Sequence, residues 1–314
     1  MPQKHILGAA GALAIFGAFA ATSAPGVPHA PHAPAADSVP AVAAALLQPI
    51  HDSLQGRSGK LRARFVPAPK ATNFAYLRAL FGDTARPGVY PVPTQTSGSF
   101  AFIAMLPFSQ KIAGKIGSYR IGFWPGENGT RRIAAKRGAK NGSPEGFIQV
   151  TPDNQRTAVS EHFTLADFLT HDQQAVWPKY LVLHESLVDK LELVLAELKS
   201  QGYDAKALHV MSGFRTPQYN ESGGDPSGRA ELSRHQYGDA ADVWVENGAG
   251  RMADLNGDGR INASDAAIVA RAAERVEQTH PDLIGGVGIY RATGAHGPFV
   301  HIDTRGYRAR WGSV

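Results

Sequence analysis

The chain has 314 residues, 43% of them hydrophobic and 19% charged, with a formal net charge of +5. That is enough apolar material for a real core, in one medium domain with additions or in two small ones. There is no cysteine, which excludes disulfides, thiolate zinc sites and cysteine nucleophiles, so any metal site must draw on His, Asp or Glu. The basic residues fall singly or in short groups such as Arg131–Arg132 and Lys136–Arg137, without interleaved aromatics. They read as a solvated surface rather than a nucleic-acid footprint.

Lys4 and His5 precede an apolar run from Ile6 to Ala21, and small residues continue through Ala24. Residues 1–24 are therefore expected to be an export signal, with the cut between Ala18 and Ala24 and an uncleaved anchor as the alternative. The protein would then sit in the periplasm or cell envelope, with no membrane span left in the mature chain. Residues 25–59 begin as an Ala/Pro-rich tract that favours solvated backbone, a linker, with a short helix expected over Ala41–Leu54. Residues 60–159 hold short apolar runs between Gly and Pro, such as Ser99–Leu106 and Gly146–Val150. They predict a small β-rich accessory module.

From residue 160 to the end the pattern changes. Leu183, Leu187, Leu191, Val194, Leu195 and Leu198 recur at helical spacing, predicting an amphipathic helix over Tyr180–Leu198 with Gly202 as its C-cap. His209–Met211 reads as a strand. Three chemistry-bearing segments follow: Ser212-Gly213-Phe214-Arg215, then Ser233 to Asp242, then Phe299-Val300-His301-Ile302-Asp303. A hydrolytic zinc site takes three imidazole or carboxylate ligands and keeps one position for water. His235 and Asp242 could supply two, joined by a turn of small residues that lets backbone approach closely. If Phe299–Asp303 is a strand, His301 and Asp303 share one face, as a ligand and its neighbouring acid or orienter would.

The combination is more specific than the spacing. Ser233-x-His235-x-x-Gly238-x-Ala240-x-Asp242 resembles the first zinc motif of the D-alanyl-D-alanine metallopeptidase superfamily, which includes VanY-type carboxypeptidases and murein endopeptidases. Ser212-Gly213-Phe214-Arg215 is similar to that family's Ser-Gly-aromatic-Arg segment. Gly285-Gly286-Val287-Gly288-Ile289-Tyr290 with Phe299 to Asp303 resembles its C-terminal motif, and Arg310-Trp311 the ending of the murein-endopeptidase-like branch. The resemblance covers about Ser160 to Trp311. It implies an α+β domain whose small antiparallel sheet, flanked by helices, carries a zinc site, after the small β-rich module. It further implies His235, Asp242 and His301 as zinc ligands, Arg215 on the substrate, and peptidoglycan peptides as substrate. The expected reaction is hydrolysis of peptide bonds in stem peptides or cross-links.

Pro298 and Phe299 stand where many relatives carry a proton-transfer residue. Asp303 and His296 remain as candidates; His296 is favoured for proton transfer and Asp303 for orientation. Asp239 and Glu246 stay open as further candidates for that role, with a solvated charge the preferred reading of each. Between the second and third ligands, Asp254-Leu255-Asn256-Gly257-Asp258-Gly259-Arg260-Ile261-Asn262-Ala263-Ser264-Asp265 reads as a calcium loop. Oxygen side chains fall at positions one, three, five, nine and twelve (Asp254, Asn256, Asp258, Asn262, Asp265). Gly259 takes the turn at six, and Arg260 takes seven, where such loops offer a backbone carbonyl. A helix is expected over Ala266–Val276. Asp265 replaces the usual Glu, as in dockerin-like loops. Two rival functions remain: a wall-binding module that keeps zinc without turnover, and a calcium-dependent adhesion protein.

Overall fold

The structure is a computed structural model and describes residues 55–67, 86–92, 100–127, 142–222, 230 and 232–312. The expected signal, most of the expected linker and the Ala41–Leu54 helix lie outside these residues. No helix among the described residues is long and apolar enough to cross a membrane.

The fold is mixed α/β, with small sheets and few helices. Its largest element is a five-stranded sheet in the order β13-β11-β12-β10-β9. The strands are β9 (Ala207–Ser212), β10 (Ala240–Glu246), β11 (Gly286–Tyr290), β12 (Phe299–Asp303) and β13 (Ala309–Trp311). Val243, Val245, Val287, Val300 and Ile302 are buried and alternate onto one face. Two helices pack against the sheet, α1 (Glu185–Ser200) and α3 (Ala263–Thr279), with the short α2 (Pro217–Ser222) between them in the chain. Leu187, Leu191, Val194, Leu195 and Leu198 of α1 are buried, as the helical spacing requires. On α3 the inward positions are mostly Ala, including Ala266, Ala272 and Ala273. Side chains this small let the helix lie close to the strands.

Two features depart from the sequence reading. The sheet is not antiparallel throughout, because β13 runs parallel to β11. The short connection after β12 passes over the end of β11 and lays β13 along its far edge. That close passage needs Gly285, where a Cβ would stand 1.9 Å from the Asp303 carbonyl oxygen. Next, α1 begins at Glu185 rather than Tyr180. Lys179–Leu181 is instead a strand, β8, held extended by pairing with β7 (Gly146–Val150). Gly202 does follow α1 in the left-handed conformation (φ +81°).

Packing also runs across residue 160. The β-rich segment contains β1 (Ala63–Val66), β2 (Gly88–Val92), β3 (Phe100–Ala104), β4 (Leu106–Pro107), β5 (Lys115–Ile116) and β6 (Tyr119–Arg120). Its buried side chains, among them Tyr119, Trp124, Phe147 and Ile148, join Leu187, Val243 and Val300 in one hydrophobic core. The β7–β8 ladder also bridges residue 160. Trp124 donates its indole N–H to the Gln236 carbonyl at 2.9 Å, and Gln218 N–H donates to Ile121 O at 3.0 Å. This segment thus buttresses the loops that follow β9 and precede β10.

Candidate metal centre

His235 lies on a 3-10 turn, Arg234–Tyr237, whose C-cap Gly238 is left-handed (φ 70°). A Cβ at Gly238 would also stand 2.3 Å from the Val182 carbonyl oxygen, so only glycine fits. The turn is pinned from both sides: Arg234 Nε donates to Asp239 Oδ1 at 3.0 Å, and Thr304 N–H donates to Asp239 O at 3.0 Å. Asp239 is 1% exposed, which corrects its reading as a solvated charge. Glu246 is instead a local acceptor, taking the N–H groups of Gly248 and Gly250.

Asp242 and His301 face each other across β10 and β12, with Ser212 opposite Asp242 on the other side. The register shift between Asp242 and Val243 is a bulge, which re-aims a side chain at the site. His235 Nε2, Asp242 Oδ1 and His301 Nδ1 converge: His235 to His301 is 3.1 Å, His301 to Asp242 is 3.0 Å, and His235 to Asp242 is 3.2 Å. The three residues are only 2%, 4% and 6% exposed for His235, Asp242 and His301 respectively. Among the described residues this is the one group of three His, Asp or Glu side chains whose ligand atoms gather within 4.8 Å.

The outer side of each of these three side chains is also satisfied. His235 Nδ1 donates to the Gly213 carbonyl at 2.7 Å, which leaves Nε2 with its lone pair facing inward. His301 Nε2 pairs with Asp303 Oδ2 at 3.0 Å, which turns Nδ1 inward. Asp242 Oδ2 takes Arg215 Nη2 at 2.5 Å. Such outer partners fix ring orientation and tautomer in metal sites. Bonds of about 2.0–2.1 Å in a tetrahedron separate neighbouring ligand atoms by about 3.4 Å, close to the spacing here.

Electrostatics point the same way. Burial would lift the Asp242 carboxyl, but the imidazoles of His235 and His301 hold it well below the usual carboxylate range. Burial pushes His235 down, so it stays neutral. His301 is also pushed down by burial, yet the carboxylates of Asp242 and Asp303 outweigh this and raise it. The centre therefore calls for a positive charge. A proton on His301 satisfies one pair of atoms; a divalent cation satisfies all three.

The remaining expected residues divide. Asp303 is fully buried and held by His301 and by Arg305, whose Nε lies 2.8 Å from Oδ2. Burial would lift its carboxyl, but these partners hold it far below the usual range, so it stays ionised. Arg215 is committed to Asp242 and, through Nε, to Ser212 Oγ at 2.8 Å. Its place is beside a ligand, a contact that spacing did not reveal. His296 sits on the loop between β11 and β12, edge-on to Phe299 with ring centroids 4.9 Å apart. Among the described residues no hydrogen bond or ring contact joins it to the three ligands.

Two aromatic residues of the site escaped the sequence reading as functional groups, Tyr290 and Trp311. Trp311 packs against His301 at 5.1 Å between ring centroids and donates its N–H to Tyr290 Oη at 2.9 Å. The available signal was Gly286 and Gly288 alternating on one strand, which leaves a bare face for something flat to cover. Trp311 covers it.

The calcium-loop residues are placed locally. Asp254 accepts from Gly257 N and Gly259 N at 2.9 and 2.8 Å, and Asp258 Oδ1 from Arg260 N at 2.8 Å. Asn262 is the N-cap of α3, its side chain accepting from Ser264 N, and Asp265 Oδ2 in turn accepts from Asn262 N, a reciprocal capping box. The helix expected from Ala266 begins at Ala263 for this reason.

Residues 235–273 match the profile of the dockerin type I domain. No curated protein and no solved structure matches the chain. The first part of the matched stretch, His235 to Glu246, forms the 3-10 turn and β10 of the five-stranded sheet; the calcium-loop residues and most of α3 follow within it.

Proposed function

We propose that the protein is a zinc-dependent peptidase that hydrolyses peptide bonds in peptidoglycan stem peptides or cross-links. The observation carrying this reading is the convergence of His235 Nε2, Asp242 Oδ1 and His301 Nδ1 with each outward side already bonded. The donor set, two imidazoles and one carboxylate, suits zinc and leaves a coordination position for water. Zinc bound there would supply Lewis acidity toward a water and an amide carbonyl. The chain's own residues do the rest. Asp303 and Gly213 orient the imidazoles, Arg215 steadies the ligand Asp242, and His296 on its loop takes and returns protons as the substrate closes the site. The substrate class comes from the motif resemblance, and export to the cell envelope would bring the enzyme to it.

The dockerin match favours a second reading, a calcium-dependent binding protein in which residues 254–265 do the work and zinc is incidental. Calcium at that loop is compatible with both readings. One experiment separates them. Purified sacculi are incubated with the zinc-loaded protein, the chelated protein and His301→Ala, and the released muropeptides are identified by mass spectrometry. Zinc-dependent new peptide ends support the peptidase. Retention on sacculi that needs calcium but yields no products supports the binding protein and ends the peptidase reading.

A further inference from the structure

One hydroxyl on the face of the sheet that carries His301 holds a proton that no group among the described residues accepts. Tyr290 Oη takes the Trp311 indole N–H at 2.9 Å, and among the described residues nothing accepts the tyrosine's own proton. Its ring is fixed by stacking on Phe299, with centroids 4.5 Å apart and planes 6° from parallel. Gly288 pairs with His301 and Tyr290 with Phe299 across β11 and β12, so Tyr290 emerges on the face that carries His301. The Trp311 indole lies over Gly288, where a Cβ would come within 2.2 Å of its ring. One indole thus rests against a metal ligand and aims the Tyr290 hydroxyl. Tyr290 is half-buried, which leaves it accessible to a ligand. Burial pushes its pKa up, and the charges of Asp242 and Arg215 act on it; it keeps its proton at neutral pH and lies within the field of the centre.

We propose that Tyr290 is a catalytic residue of the proposed peptidase, donating a hydrogen bond from Oη to the carbonyl oxygen of the amide being cleaved. The inference rests on the peptidase reading. Attack on an amide moves an electron pair onto that oxygen, and a donor already aimed there gains strength as the charge builds. The proton stays on Tyr290 throughout. Arg215, expected from the motif to meet the substrate, is bonded to Asp242 and Ser212, so a second donor has a role to fill. Trp311 is a positioning residue acting through Tyr290.

The test is Tyr290→Phe in the zinc-loaded full chain, on a muropeptide that the wild type cleaves. Zinc content and melting temperature should match wild type. Turnover should fall about 10²- to 10³-fold, the usual loss for one such donor, with little change in KM. A readout independent of turnover is the affinity for a phosphinate dipeptide, which mimics the tetrahedral state. It should weaken by a similar factor while binding of the cleaved product is unchanged. Trp311→Phe should show a smaller loss in both. Wild-type turnover and wild-type phosphinate affinity in Tyr290→Phe would overturn the proposal. If the wild type holds zinc yet cleaves no muropeptide, the peptidase reading itself fails and this role falls with it, so the wild-type control tells the two failures apart.

Discussion

His235 and His301 are brought together across 66 residues of sequence, whereas Asp254 to Asp265 occupy a single loop. The first site is buried and assembled from a turn and two strands, and its outer bonds reach Gly213, Arg215 and Asp303. The second lies mostly at the surface, and its side chains accept from amides a few residues away. A site assembled by the sheet stands or falls with the sheet, and a partner removed from it leaves a buried charge unmatched. A local loop can lose one oxygen and remain a turn. Substitutions in the two places should therefore differ in kind.

The largest effect is expected at the ligands. His235→Ala or His301→Ala should lose zinc, read by plasma emission, and should lose muropeptide hydrolysis altogether; full activity in either variant would end the proposal. Next comes His296→Ala. It should retain zinc while turnover falls about a hundredfold to ten-thousandfold, the range for a proton-transfer group. Wild-type turnover in that variant would move proton transfer elsewhere, and Asp303, tied to His301 and Arg305, is a poor substitute.

The same contrast governs what the sequence revealed. The loop was legible because its oxygens recur at a fixed local spacing and its helix follows at once. The motif resemblance singled out His235, Asp242 and His301, which the fold brings together, while the helical period located α1 but missed its start. That miss is instructive: Tyr180 belongs to β8 because β7 pairs with it, a contact that no local pattern carries. Asp239 looked like a surface charge for the same reason, since Arg234 and the passing Thr304 amide bury it. The parallel β13 and the Trp311–Tyr290 contact depend on a strand crossing over β11. They are consequences of topology, which the residues themselves do not spell out.

A smaller effect is expected one bond outward from the ligands. Asp303→Asn keeps the shape but removes the charge that fixes His301, and should weaken zinc about 10- to 100-fold. The pH dependence has a definite sign. In the metal-free protein His301 is raised by Asp242 and Asp303, while burial keeps His235 neutral. Zinc must therefore displace a proton from His301 at pH values below its raised pKa, so zinc affinity rises with pH until His301 is deprotonated. Calorimetry in buffers of different ionisation enthalpy should find proton release on zinc binding that declines as the pH rises through the raised pKa of His301. No proton release would show that His301 is already neutral in the metal-free protein. Asp303→Asn should reduce the release, because the charge that raised His301 is gone.

The smallest effects belong to the loop, and there two aspartates should behave differently. Asp254 is exposed and accepts from two glycine amides. Asp265 is fully buried and accepts from Leu255 N at 2.8 Å and from Asn262 N at 2.9 Å. Asp265 therefore holds the loop to α3 with or without an ion. Asp265→Ala should destabilise the protein by about 1–3 kcal/mol even in chelator, the cost of orphaned amides and a lost cap. Asp254→Ala should be nearly neutral in chelator, because water can replace it at an exposed turn. Calcium at a hundred times its dissociation constant should stabilise the wild type by about 2.7 kcal/mol, a rise of roughly 5–10 °C in melting temperature for a domain of this size. Asp254→Ala should lose that rise and keep its zinc. If the wild-type melting curve ignores both calcium and chelator, residues 254–265 are a helix-capping turn and nothing more, and the binding-protein reading loses its only site.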